Sequence, residues 1–104
     1  MAATLKTPKR SAEEVRLSLG FKYRLAKGDA IVGVTSLTIV DSAGADKSAE
    51  MIKVGTSQVD PGGRSVSAIF TGGQNGQTYT ATARVTTRNV DTLEGQLLIP
   101  VSDG

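Results

Sequence analysis

The 104-residue sequence contains no cysteine, no histidine and no tryptophan. Without cysteine no disulfide can staple the fold. Without cysteine or histidine there is no Cys/His zinc set, no thiol nucleophile and no imidazole base. Aromatic residues are nearly as scarce, at two Phe and two Tyr, so the core has to be aliphatic and its margin of stability thin. No apolar run approaches the roughly 18 residues of a membrane-spanning helix. No apolar stretch of signal-peptide length follows the basic N-terminus either. The expectation is a chain whose mature form starts in a cytoplasm.

The residues that remain offer little chemistry. Asp41, Asp46 and Glu50 bring a calcium loop to mind, but the third and fifth positions counted from Asp41 are Ala43 and Ala45, which supply no side-chain oxygen. Gly72-Gly73-Gln74-Asn75-Gly76 is followed by a strand pattern rather than the helix start that a phosphate cradle requires. The carboxylates sit in or beside polar turns, with no pair set in an apolar surround that would separate their pKa values. The expectations are therefore no enzymatic activity, no cofactor, no metal site and no small-molecule substrate.

Charge is small in sum and uneven in place. The net charge is +2, yet residues 1–27 hold seven basic groups against two acidic, and the rest hold five against eight. Opposed charges of this kind could draw identical copies together head to tail. The segment Lys6 to Arg10 could touch phosphates, but the chain lacks a basic face interleaved with aromatics, and no nucleic-acid partner is expected.

The hydrophobic pattern is that of strands. Residues 1–12 are small, polar and basic, with Pro8 interrupting them, and read as a flexible N-terminal arm that orders against a partner. Val15, Leu17, Leu19 and Phe21 then alternate with polar residues. Residues 31–40 are β-branched and read as a central strand. A short strand is expected around Met51 to Val54, and an edge strand at Ser57 to Val59 before Pro61-Gly62-Gly63. Arg64 to Phe70 alternates with Val66, Ala68 and Phe70 inward. Thr78 to Thr87 is the clearest strand, with Tyr79, Ala81, Ala83 and Val85 on one face and a threonine row on the other. The Arg88 to Asp91 turn leads into Thr92 to Val101, closing a hairpin. No amphipathic helix is evident beyond one possible turn at Ala12 to Arg16. The fold class implied is all-β: an antiparallel β-sandwich of six to seven strands at 13–104, preceded by the arm at 1–12.

Three stretches of this pattern, spread over about residues 6–101, resemble the small Ig-like proteins of tailed bacteriophage particles known as fibre–tail adaptor proteins. The first comprises Lys6-Thr7-Pro8, the strand Val15 to Phe21, and Leu25-Ala26-Lys27-Gly28-Asp29-Ala30-Ile31. The second is Thr71-Gly72-Gly73-Gln74-Asn75-Gly76-Gln77-Thr78-Tyr79-Thr80, similar to the family's Gly-Gly-x-x-Gly-x-x-Tyr turn before a Thr/Val-rich strand. The third is Arg84-Val85-Thr86-Thr87 with the closing Leu93 to Val101. The resemblance implies an Ig-like sandwich in a virion, assembled in the host bacterial cytoplasm and repeated as a homo-oligomeric ring. Its partners would be other virion proteins of the tail, neck, portal or fibre. With the charge pattern, it marks Lys6, Pro8, Lys9, Arg10, Lys22 and Arg24 as the candidate partner interface. Two other readings are compatible with the sequence. One is a capsid decoration protein seated on the major capsid protein; the other is a carbohydrate- or cell-surface-binding Ig-like domain, for which Tyr23 and Tyr79 are the available platforms.

Overall fold

A computed structural model describes residues 3–21 and 24–104. The strands are β1 (Ala3–Thr4), β2 (Val15–Gly20), β3 (Ile31–Val40), β4 (Gln58–Val59), β5 (Ser65–Phe70), β6 (Thr78–Thr87) and β7 (Thr92–Pro100), with one helical turn, α1 (Ser48–Met51). They form two sheets, one ordered β1-β7-β6-β3 and the other β2-β5-β4. All pairings are antiparallel except β1 with β7, which run parallel. Without β1, the two three-stranded orders are those of the G-F-C and B-E-D strands of an immunoglobulin sandwich.

Alternation in the sequence becomes the two inner faces of the sandwich. Leu19, Phe21, Val66, Ala68 and Phe70 come from the β2-β5 side. Ile39, Tyr79, Ala81, Ala83, Val85, Leu97, Ile99 and Val101 come from the other, and all are buried. With so few large side chains, fit depends on placing small residues opposite rings. Ala83 is paired with Gly95 across β6 and β7. A Cβ on Gly95 would lie 2.8 Å from Cζ of Phe21, so this glycine is bare because the ring rests on it.

Tyr79 enters the core at the start of β6 and its hydroxyl accepts the Gln74 N–H at 2.9 Å. That is the tyrosine corner of immunoglobulin-type domains, a ring in the core whose oxygen fixes the backbone a few residues upstream. Gly73 in the same loop has φ of +97°, and a Cβ there would stand 2.9 Å from Val101 Cγ2 and 3.4 Å from Tyr79 Cε2. Both its backbone angle and its surroundings demand glycine. The Gly-Gly-x-x-Gly-x-x-Tyr signature is thus a corner of the fold, not a ligand loop.

Two local expectations give way. The strand expected around Met51 to Val54 is replaced by α1 and an isolated bridge from Ile52 to Phe70. Asp46 Oδ1 accepts the Ser48 N–H at 2.8 Å, and Ser48 Oγ accepts the Ile39 N–H at 3.0 Å. These bonds curl the chain and place Met51, 2% exposed, in the core. A four-residue stretch is too short for periodicity to separate the two outcomes. No helical turn forms at Ala12 to Arg16, where a turn precedes β2.

A further difference concerns the expected arm. Its described part, 3–12, is docked rather than loose. Ala3 and Thr4 pair with Leu97 and Leu98, Leu5 N–H donates to Leu98 O, Lys9 N–H to Pro100 O, and Ser102 N–H to Lys9 O. The cause is the edge of β7, whose outward carbonyls need donors, together with the packing of Leu5 against the core.

Candidate interaction surface

Of the expected interface residues that the structure describes, all but one fall on one side of the molecule. Arg24, exposed, donates from Nη1 to Glu94 O at 2.7 Å. Further along the same edge of β7, the backbone N–H groups of Leu5 and Lys9 engage Leu98 O and Pro100 O. Lys6, Pro8 and Arg10 are exposed on the segment that makes these contacts. Arg24, Lys6, Pro8 and Arg10 therefore line one edge of the sandwich. Lys22, like Tyr23, lies outside the described residues.

Lys9 is the exception. It is 2% exposed, and its Nζ donates to Gly72 O at 2.7 Å and to Arg10 O at 2.8 Å. Burial pushes its pKa below the ordinary lysine value, opposed by the fields of Glu13, Asp103 and Glu14. An ammonium turned inward onto two carbonyls is a fastener between the N-terminal segment and the glycine corner. It is not a surface for a partner. The sequence offered no sign of this, because a lysine between proline and arginine reads as solvated.

The strands set the loops at two ends, and the ends differ in charge. One end carries the β2–β3 connection, the Asp60 to Arg64 turn and the β6–β7 hairpin, where Ile31 pairs with Thr87 and Ile31 N–H donates to Gly63 O. It exposes Arg24, Lys27, Arg64, Arg88 and Asp91. Asp29 at this end is buried, 6% exposed. Desolvation raises its pKa, but hydrogen bonds from Ala30, Thr87, Asn89 and Arg88 outweigh that and leave it below the usual aspartate value.

The opposite end gathers residues 9–14, the 41–56 stretch, the 71–77 loop and the C-terminal segment. Glu13, Glu14, Asp46, Glu50 and Asp103 are exposed there, with Asp41 half-buried, against Arg10, Lys47 and Lys53. Asp103 binds the Ser11 N–H at 2.7 Å and the Ser11 hydroxyl at 2.8 Å, and these bonds lower its pKa. A cleft of about 250 Å³ opens at this end, with Asp41, Lys47 and Glu50 beside Met51, Gly73, Gln74 and Tyr79.

Asp60 organises a third polar cluster, on the outer face of the β2-β5-β4 sheet. It accepts from Ser65 and Ser67 at 2.7 Å each and from Ser18 at 3.2 Å. Arg16 reaches over to Ser67 at 3.0 Å. Desolvation raises the Asp60 pKa, while the bonds from Ser67, Ser65, Gln58 and Ser18 bring it below the usual value. Both Asp60 carboxylate oxygens are spent on these neighbours, so the cluster ties strands together. The threonine row of β6 behaves similarly: Thr86 meets Thr35 at 3.2 Å, Thr82 accepts from Gln96 at 3.3 Å, and Arg84 pairs with Glu94 at 3.1 Å.

Among the described residues no group of three or more acidic side chains is placed to hold a metal ion. Of the two tyrosines considered as sugar platforms, Tyr79 is 3% exposed and committed to the corner. What the surface offers is contact area: a lined edge and two ends of contrasting charge.

No curated protein and no solved structure matches the chain. A family model does, across residues 9–100: podophage GP4 fiber-tail adaptor protein gp77. That span takes in every strand but β1, the tyrosine corner and the buried Lys9. The family is one of phage structural adaptors and not a class of enzymes. The chain belongs to the podophage GP4 fiber-tail adaptor protein gp77 family.

Proposed function

We propose that this protein is an adaptor subunit that joins the tail or neck of a podophage particle to its fibres, with several copies arranged in a ring. The family match over residues 9–100 carries this reading. The structure supports it physically. The sandwich presents loops at two ends of a body 42 Å long and 24 Å across, one end exposing mainly bases and the other mainly acids. A subunit of that design can hold different neighbours at its two ends without a cofactor or a moving part. Lys6, Pro8, Arg10 and Arg24, along the β7 edge, are the side-facing residues available to virion partners, and assembly would take place in the host cytoplasm.

The test is a mass-resolved copy number in purified particles, combined with deletion of the gene. The adaptor reading expects a ring-sized number, on the order of ten copies, and particles that lose their fibres when the protein is missing. Hundreds of copies per particle would move the protein to the capsid as a decoration subunit. Its absence from particles would overturn a virion role altogether.

A further inference from the structure

The outer face of the four-stranded sheet is almost without charge. The chain holds 12 basic and 10 acidic residues, yet β1, β3, β6 and β7 together carry only Arg84 and Glu94. These two lie opposite each other across β6 and β7 and close an ion pair at 3.1 Å. A soluble surface is usually about a quarter to a third charged. The register shows what stands there instead. Val40, Thr80 and Leu98 form one row across the sheet and Thr38, Thr82 and Gln96 the next, with the Arg84–Glu94 pair in the row beyond. All of these are exposed or half-buried.

Such a face can be covered at small cost. Drying a polar group is expensive when it has no partner, and here Thr82 accepts from Gln96, Thr86 meets Thr35, and Arg84 holds Glu94. Each threonine also offers a methyl group that packs well on a pleated surface. Depletion of Lys, Glu and Asp is what sets the centre of a protein–protein contact apart from ordinary surface. The absence of net charge narrows the occupant. A strongly charged partner finds no complement on this face, whereas a second copy meets it without repulsion, and two Arg84–Glu94 pairs brought together remain neutral. Strand rise and spacing give the face about 600 Å². Two copies would then bury roughly 1,200 Å² in total, the lower end of what a specific contact needs.

We infer that two copies pack these faces together, sheet on sheet, about a two-fold axis that passes near Thr82. The contact is isologous, the same patch serving on both sides, with the two sheets about 10 Å apart. Its area sets association in the micromolar range. The pairing goes beyond the adaptor reading and does not depend on it, since it is expected of the purified protein alone.

Sedimentation of the full-length protein from low to high micromolar concentration tests this. In about 500 mM salt the Debye length is roughly 4 Å, so contacts between the charged ends are screened and the neutral face is read by itself. A concentration-dependent monomer–dimer equilibrium is expected. Thr38→Lys, which sets an ammonium in the middle row, should weaken it at least about tenfold. Gln58→Lys, exposed on the other sheet, should leave it unchanged. The chain has no cysteine, so Thr82→Cys adds a single thiol to the face and should cross-link with itself through a short bis-maleimide, well above the level of Gln58→Cys. This second measurement decides the matter if Thr38→Lys does not fold. Unaltered protein that stays monomeric throughout would overturn the inference. So would a folded Thr38→Lys that pairs as the unaltered chain does, or Thr82→Cys that cross-links no better than Gln58→Cys. In particles, a cross-link from Thr82→Cys to a different protein and none to itself would give the face to another occupant and overturn the pairing.

Discussion

Lys9 is a cation held inside the molecule by two carbonyl oxygens, those of Gly72 and Arg10. Replacing it with Met keeps the aliphatic stem but strands both acceptors, so Lys9→Met should lower stability by about 1–3 kcal/mol in urea melts. The comparison also has a pH dependence. Burial lowers the folded-state pKa of Lys9 below its unfolded value, so the unfolded chain binds the proton more tightly, and the cost of burying the charge is present at pH below the folded pKa. It is relieved as pH rises from that pKa toward about 10.4, the unfolded value. The neutral amine retains two N–H donors for its two acceptors. The gap between wild type and Lys9→Met should therefore widen in favour of wild type over that alkaline window; a constant or shrinking gap would contradict this account. Aspartates act at the other limb. Asp29, Asp46, Asp60 and Asp103 all have lowered folded-state values, so their contribution is complete above the unfolded value near 3.9 and is lost as pH falls through the lower folded values. Asp60→Asn should flatten part of this acid limb in pH-dependent melts. At the tyrosine corner, Tyr79→Phe removes the acceptor for the Gln74 N–H and should cost about 1 kcal/mol.

At the scale of elements, the long strands were legible because each buries one face only. β3 and β6 begin and end where the sequence pattern places them, and the hairpin closes through Arg88 to Asp91 as its turn residues suggest. The pieces that escaped are those in which pattern is not the deciding force. β1 is two residues long, and its partner β7 lies more than ninety residues away, a separation that no local signal spans. α1 depends on bonds accepted by Asp46 and Ser48, and periodicity is silent about such bonds. The candidate interface was readable only in part. The clustering of basic residues was visible, but their alignment required the outward carbonyls of β7, and the burial of Lys9 ran against its neighbours' character. One expectation follows at this scale: Gly95→Ala places a methyl group 2.8 Å from the Phe21 ring and should destabilise by about 1–3 kcal/mol, seen as a lowered denaturation midpoint. A second concerns the docked segment. The Leu5 and Lys9 amides donate to β7 and should exchange with deuterium far more slowly in the isolated protein than the amides of Lys6 or Thr7. Equal and rapid exchange at all four would restore the picture of a loose arm.

Across the whole molecule, the separation of bases at one end from acids at the other would make encounter between copies, in the ring proposed above, dependent on ionic strength. Association should weaken as salt is raised from about 50 to 500 mM, because the Debye length contracts from roughly 14 to 4 Å, and sedimentation at both salt levels reads this directly. The other molecular property follows from β1 and β7 lying side by side and parallel. A load between Thr4 and Asp103 would pull the two strands in opposite directions along their common axis. The bonds from Leu5 to Leu98, Lys9 to Pro100 and Ser102 to Lys9, with the Lys9 ammonium across them, then resist together in shear instead of opening one after another. In the adaptor role proposed above, such a clamp would bear the drag of the medium on a fibre. Its mechanical strength would be concentrated in the short stretch of chain that the sequence made look least structured.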